Sequence, residues 1–296
     1  MLDFRIHTFL AVCKHMNYTR AAEELCITQP AVSQQIKYLE NQYNTKLFTY
    51  IGKNLSLTPT GEMLFNKATA LANDEAQFIK ELQSTHQQNP TYTLGVTYTI
   101  GEYIINKPIA AFSKKNDKIR LNLSMKNTTD LRQDLIDGKI QFALIEGSIQ
   151  DDFFESISFS SENFIAVCSK KHQFTQPINS LSDLTNEHII IREEGSGTRD
   201  IFEKALALNN LSLQNFNDIS YIGSMPTIVE LIKEDCGISF LYQSAVEEEL
   251  KHNTIQQIPL TDFNIKHDLT FIYNKGSLNK EIYLEIFKDL QLAYKH

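Results

Sequence analysis

The chain has 296 residues, 42% of them hydrophobic and 22% charged, with four cysteines, no tryptophan and a formal charge of −8 from 28 basic and 36 acidic side chains. That length gives room for two or three domains, and without a long apolar run the composition is that of a soluble globular chain, which excludes a membrane-spanning protein. Taken as a whole, the acidic balance argues against a polyanionic partner, so such a partner would have to be met by a locally basic region.

The N-terminal stretch MLDFRIHTFLAVCKHM has an apolar run too short for a signal peptide and broken by Arg5, His7 and Lys14. It is expected to be a helix of a cytoplasmic protein. The cysteines, Cys13, Cys26, Cys168 and Cys236, lack CxxC spacing. This suits a reducing compartment, argues against structural zinc, and leads us to expect all four as small buried apolar residues.

Residues 19–43, TRAAEELCITQPAVSQQIKYLENQY, read as two short helices joined by a tight turn. Thr19 can cap the first, with Ala21, Ala22 and Leu25 on its inner face. Thr28 can cap the second, which carries Pro30 in its first turn, where a missing N–H costs nothing. Val32, Ile36, Leu39 and Tyr43 recur at three- and four-residue spacing and predict a stripe buried against Phe4, Phe9, Leu10 and Cys13. The opposite face is Gln29, Ser33, Gln34 and Lys37. Amides and hydroxyls near a helix N-terminus can bond base edges in a DNA major groove, and a lysine further along can meet a phosphate. Periodicity alone fits an ordinary helical hairpin with a solvated polar face equally well.

Residues 47–62, LFTYIGKNLSLTPTGE, hold two extended runs around Gly52, Lys53 and Asn54, then Pro59 before a long helical pattern. A hairpin after a second helix is a wing. Over residues 9–62, FLAVCKHMNYTRAAEELCITQPAVSQQIKYLENQYNTKLFTYIGKNLSLTPTGE, the chain resembles the LysR-type transcriptional regulators with the spacings intact. Charge follows the same division: residues 1–58 hold Arg5, Lys14, Arg20, Lys37, Lys46 and Lys53 against Asp3, Glu23, Glu24 and Glu40, so this head is +2 and the rest is −10. The family often has Arg where this chain has Gln34 and Tyr50, which implies few phosphate contacts and a need for two or four joined heads.

From Thr60 to about Gln88 the pattern is helical, with Leu64, Ala68, Leu71, Phe78 and Leu82 on one stripe and Glu75 as its polar interruption. A dimerising helix of coiled-coil type is expected, against the alternative of a helix packed on its own domain. In the resembled family this linker sets two heads on successive major grooves.

The remainder alternates strands and helices. Strands are expected at 92–100, 119–127 and 140–147, with helices between them, then a second unit from 163–172 through 188–195, 198–210, 219–224, 225–236 and 237–242. A last strand at 268–275 and the helix 277–294 return to the first unit. The resemblance implies a two-lobed, periplasmic-binding-protein-like α/β effector domain. The expected organisation is therefore a winged helix-turn-helix over 1–58, a linker helix over 59–89, and an effector domain over 90–296, with lobe I at 90–162 and 267–296 and lobe II at 163–266.

In such a cleft, ligands sit at strand carboxyl ends. Thr97, Tyr98 and Thr99, with the N–H groups of Ile100 and Gly101, could hold an anionic head group, and Glu194, Gly195, Ser196, Gly197, Thr198 and Arg199 could do so from the other lobe. Any one of these hydroxyls alone would read as a helix cap. Thr128 and Glu146 qualify by position, an acid at 146 selecting a ligand that carries a hydroxyl or amine, while Arg199 could instead pair with Asp200 or Glu203. TIGEYI (99–104) and REEGSGTR (192–199) resemble the CysL/CbbR-like branch, concerned with sulfur metabolism and carbon fixation, which implies a small anionic metabolite and no resident cofactor or metal.

No GxSxG elbow, P-loop or HExxH spacing occurs, and His267 beside Asp268 reads as a structural contact, so catalysis is not expected. The reading is a regulator that binds a promoter inverted repeat as a dimer or tetramer and alters DNA bending and RNA polymerase recruitment when a metabolite closes the lobes. Gln29, Ser33 and Gln34 would read bases, Pro30 and Ala31 would touch thymine methyls, Thr28 stands at the same helix entry, and Arg20, Lys37 and Lys53 would take phosphates. The rivals are a solute-binding protein, a ligand-independent architectural protein, and a redox sensor using Cys168 and Cys236.

Overall fold

A computed structural model describes residues 1–83, 89–147 and 152–295. Three helices open the chain: α1 (Phe4–His15), α2 (Tyr18–Glu24) and α3 (Gln29–Gln42). They enclose a core of Ile6, Phe9, Val12, Ala21, Ala22, Val32, Ile36 and Leu39, all buried. Thr28 caps α3 by accepting from Ala31 N, but α2 is capped by Asn17, whose Oδ1 accepts from the N–H groups of Thr19 and Arg20 at 2.8 and 3.1 Å. Thr19 is thus a first-turn residue, not the cap. Phe4 and Tyr43 are exposed rather than buried, because Phe4 opens α1 on its solvent side and Tyr43 is the C-cap of α3, where the backbone leaves the stripe.

The hairpin β1 (Phe48–Ile51) and β2 (Asn54–Leu57) pairs in register from Phe48 with Leu57 to Ile51 with Asn54. It leads into α4 (Pro59–Gln83). Thr58 Oγ1 accepts from Gly61 N at 3.0 Å, and a methyl group on Gly61 would lie 2.1 Å from Leu47 O, so glycine is what allows α4 to start against the base of the wing. The expected end of the linker, 84–88, lies outside the described residues. Along α4 the expected stripe divides. Ala68 is buried and Leu64 packs on the head core, whereas Leu71, Phe78 and Leu82 are exposed.

The next unit contains β3 (Thr91–Val96), α5 (Asn106–Lys115), β4 (Arg120–Met125), α6 (Thr128–Ile136) and β5 (Phe142–Glu146). Strand β3 is shorter than expected: the chain turns helical after Val96 and passes through a π-helical turn, Ile100–Ile104, before α5. The 16-residue β6 (Phe154–Ser169) begins well before the expected Asn163. It is followed by β7 (His188–Ile191), α7 (Gly197–Leu208), β8 (Asp218–Tyr221), α8 (Met225–Lys233), β9 (Ile238–Tyr242), α9 (Glu247–Lys251), β10 (Ile255–Gln257), β11 (Ile265–Asn274) and α10 (Lys280–Lys295). Strands run in the order β4-β3-β5-β11-β6-β9-β7-β8, with β10 on β6.

Two strands join the halves of this sheet. Phe154–Phe164 of β6 pairs with β11, and Phe164–Cys168 pairs with β9. The parallel ladders β4-β3-β5 and β8-β7-β9 therefore lie on either side of an antiparallel bridge. The register slips between Leu269 and Thr270, a bulge that leaves Phe159 unpaired and buried against Phe287 and Tyr294.

Helix α4 is fastened to the first half. Asn73 Nδ2 donates to the carbonyls of Leu135 and Ile136 at the end of α6, and Asp74 accepts from Ser277 Oγ, Leu278 N and Asn279 Nδ2 at 2.7, 2.7 and 3.1 Å. Cys13 and Cys168 are buried, but Cys26 and Cys236 are exposed. Each of the latter lies in an interhelix or helix–strand turn with a left-handed residue, Cys26 itself or Asp235. Among the described residues no helix is long and apolar enough to cross a membrane.

Candidate functional site

The head presents one polar face. Gln29, Pro30, Gln34 and Lys37 are exposed, Ala31 and Ser33 half-buried, and Gln29 Nε2 donates to Ser33 Oγ at 2.9 Å. The pair spans one helical turn, so its amide and hydroxyl lie together at the N-terminal end of α3. The basic residues separate into two groups. Arg5 is bound to Asp3, Lys14 to Glu24 and Lys46 to Glu40, at 2.8, 2.8 and 2.6 Å. Arg20, Lys37 and Lys53 are exposed, and among the described residues none of them sits in an ion pair. The head's +2 is therefore presented by the side chains expected to meet phosphates, while three of its four acids are already neutralised. Lys14 and His15 hold the Glu24 carboxyl below the usual carboxylate range.

The second constellation lies where the two ladders meet. Thr97 and Thr99 follow β3, Asn127 and Thr128 follow β4, Glu146 ends β5, and Arg192 through Thr198 follow β7. All stand at carboxyl ends of parallel strands, so the topology brings them together although they are far apart in sequence. Thr97, Thr99, Glu146, Arg192, Ser196 and Thr198 are all buried. Thr99 Oγ1 lies 3.4 Å from Thr198 Oγ1, which donates to Glu146 Oε1 at 3.4 Å, and a methyl group on Gly197 would lie 3.0 Å from Glu146 Oε2 and 3.3 Å from Thr128 Oγ1. The oxygens Thr97 Oγ1, Thr128 Oγ1 and Glu146 Oε2 have no hydrogen-bond partner. Burial pushes the Glu146 carboxyl above its ordinary range.

Two helix ends point into this cluster. Asn127 caps α6 through Asp130 N, whereas Ser196, at the N-cap of α7, makes no side-chain capping bond. The first N–H groups of α7 therefore lack the usual side-chain acceptor. Two expected contributors are engaged elsewhere. Gly101 N donates to Thr97 O in the α-helical turn that leads into the π-helical one, and Arg199 pairs with Glu203 at 2.5 Å and lies over Tyr221 at the surface. Ile100 is buried as part of the core. Sequence reasoning missed Arg192: its guanidinium is buried, bound to Glu193 through Nε and Nη2 at 2.8 and 2.9 Å, and lies 5.3 Å from the Tyr98 ring. The signal available was an arginine directly after the apolar run of β7. His267 is a structural contact, its Nδ1 3.2 Å from Tyr242 Oη. Among the described residues no group of three His, Cys, Asp or Glu could hold a metal.

Comparison with known proteins gives this arrangement a family. The model of bacterial regulatory helix-turn-helix proteins of the lysR family matches residues 5–62, and that of the LysR substrate binding domain matches residues 85–284. The transcriptional regulator CysL of Bacillus subtilis (strain 168) is 30% identical over 288 residues, covering 96% of this chain and 95% of CysL. A probable RuBisCO transcriptional regulator of Thalassiosira pseudonana is 25% identical, covering 97% of this chain and 96% of its own. The regulatory domain of Synechocystis PCC6803 CcmR, solved in complex with 2-PG, superposes with a TM-score of 0.60 at 20% identity, over 70% of this chain and 98% of that domain. The relatives fall in the branch that residues 99–104 and 192–199 resemble, and with both family models matched in order, the chain belongs to the LysR family of transcriptional regulators.

Proposed function

We propose that this regulator is a non-enzymatic, cytoplasmic, one-component transcription factor whose DNA binding is tuned by a small anionic metabolite held between its two lobes. The observation that carries this is the convergence of buried, partly unpartnered hydroxyls and the uncapped N-terminus of α7 at strand carboxyl ends from both lobes. That the related CcmR domain was solved with 2-PG supports an anion. The effector residues are Thr97, Thr99, Thr128, Glu146, Ser196, Gly197 and Thr198. The working division is a head over 1–58, a linker over 59–89 and an effector domain over 90–296.

On DNA, Gln29, Ser33 and Gln34 read base edges, Pro30 and Ala31 touch methyl groups, and Arg20, Lys37 and Lys53 take phosphates, with Thr28 at the helix entry. Exposed Leu71, Phe78 and Leu82, which line one groove with Leu278, support a dimer through α4, and a dimer of dimers gives the tetramer. Metabolite-driven closure then shifts the heads and alters polymerase recruitment. A thiol switch is less favoured, because Cys168 is buried and its thiol is pushed up to about 11.

The test is a thermal-shift screen against sulfur metabolites, phosphorylated acids and sugars, amino acids and nucleotides, with hits repeated in Thr99→Ala and Ser196→Ala. A stabilising compound that loses its effect in both variants supports the reading. A compound that stabilises both variants as well as the parent counts against it.

A further inference from the structure

Glu146 is an unusual occupant of an anion site. It is 6% exposed, and its Oε2 has no hydrogen-bond partner although Thr128 Oγ1, also unpartnered, and the start of α7 stand beside it. Its Oε1 accepts from Thr198 Oγ1 at 3.4 Å, and the Thr97 and Thr99 hydroxyls stand close enough to favour the charged carboxylate against the effect of burial. The cation that acts on it, Arg192, is already held at two nitrogens by Glu193. The hydroxyls beside this carboxylate leave Oε2 without a hydrogen bond, an open acceptor in surroundings where a second negative charge is poorly screened.

We propose that Glu146 sets specificity at this site as a charge filter: it admits an anion only when the same molecule brings a hydroxyl or ammonium donor to Glu146 Oε2. This rests on the reading of the cluster as the effector site. A plain anion such as sulfate, an acceptor on every side, meets the helix ends but sets its charge against the carboxylate and leaves Oε2 unsatisfied. An anion with a neighbouring donor satisfies both halves of the site with one molecule, through a charge-assisted hydrogen bond to the acid and the hydroxyls and N–H groups on its anionic end. The effector class is thus a hydroxy- or amino-substituted small acid. Gly197 fits the same picture, since any larger residue would fill the space between Glu146 Oε2 and Thr128 Oγ1.

Three sulfonates separate the cases: ethanesulfonate has no donor, isethionate adds a hydroxyl and taurine an ammonium. Calorimetric titration of the full-length protein with these and with sulfate, above neutral pH, is expected to favour the two donor-bearing probes by about tenfold. In Glu146→Gln, which keeps the size of the side chain, that preference should collapse and binding of sulfate and ethanesulfonate should appear or tighten by about tenfold. Introducing Gly197→Ala into Glu146→Gln should remove the gained sulfate binding. If the parent binds sulfate and ethanesulfonate as tightly as Glu146→Gln, or if Glu146→Gln gains no anion binding, the filter is wrong. Whether the cluster is an effector site at all is read separately, from effector hits lost in Thr99→Ala and Ser196→Ala.

Discussion

The exposed polar face of α3 and the interlobe cluster use the same kinds of side chain, hydroxyls, amides and a helix N-terminus, and dispose them in opposite ways. On α3 the polar groups are exposed and partner locally, Gln29 with Ser33 one turn away. Between the lobes they are buried and partner across the chain, Thr198 with Thr99 and Glu146. A polar face in water costs nothing to keep and can be spent wholly on DNA. A buried polar cluster is part of the fold's own energetics, so substitutions there should move stability and binding together, whereas on α3 they should separate.

The sharpest break in that comparison lies on the two faces of α3. Leu39 is 1% exposed, and Leu39→Ala is expected to destabilise the head by ~2–5 kcal/mol through a cavity. Amide exchange of α1–α3 in the full-length protein should show this, with no change in the protection of β7 or β9. Equal loss of protection in both regions would show that head and effector lobes unfold as one unit.

In the cluster, the buried acid gives a pH signature. The folded-state pKa of Glu146 is raised by burial, so between its unfolded and folded values the native chain holds a proton that the unfolded chain has released. That contribution to stability is present at low pH and is lost as pH rises from the ordinary carboxylate range through the folded pKa. The melting temperature of Glu146→Gln minus that of the parent should therefore become more positive with rising pH and then level off. A difference that stays flat across the same range would mean that the carboxyl ionises in the fold as easily as in water.

These two regions also differ in how far they could be read in advance. The α3 stripe of Val32, Ile36 and Leu39, the Thr28 cap and the wing around Gly52 and Lys53 follow from rules that act within a few residues, and the structure has each of them. The cluster depends on which strand ends adjoin. Thr97, Thr99, Glu146, Ser196 and Thr198 were legible once strands and the family resemblance were in hand, but Arg192 was not, because its buried position depends on Tyr98 arriving from the other lobe. Arg199 was indistinguishable from it by type, yet its partner is one turn along its own helix. The π-helical turn at Ile100–Ile104 has no periodic signature, and the Gly101 N–H is taken up because the chain turns helical already at Tyr98, making an ordinary i→i−4 bond to Thr97 O that a helix start at Ile100 would have left unmade.

A smaller effect should come from Gln29→Ala. It is expected to cost ~1–3 kcal/mol in discrimination between cognate and substituted promoter sites without moving the melting temperature. Lys53→Ala should instead weaken all sequences alike and lower the slope of log affinity against log salt by about 0.9. Anisotropy titrations at several salt concentrations would separate the two. If Gln29→Ala changed the slope and Lys53→Ala the discrimination, the assignment of base and phosphate contacts would have to be exchanged.

The smallest expected effect concerns the entry to α2, where two residues of suitable type compete for one role. Asn17 Oδ1 accepts from both Thr19 N and Arg20 N, so Asn17→Ala should cost the head ~1 kcal/mol, whereas Thr19→Ala should stay within about 0.5 kcal/mol. Amide exchange in α2 is the direct readout, with DNA affinity as the consequence, since Arg20 lies in the first turn that Asn17 holds. If Thr19→Ala proved the costlier change, the helix would start two residues later, Arg20 would turn about its axis, and its place among the phosphate contacts would be lost.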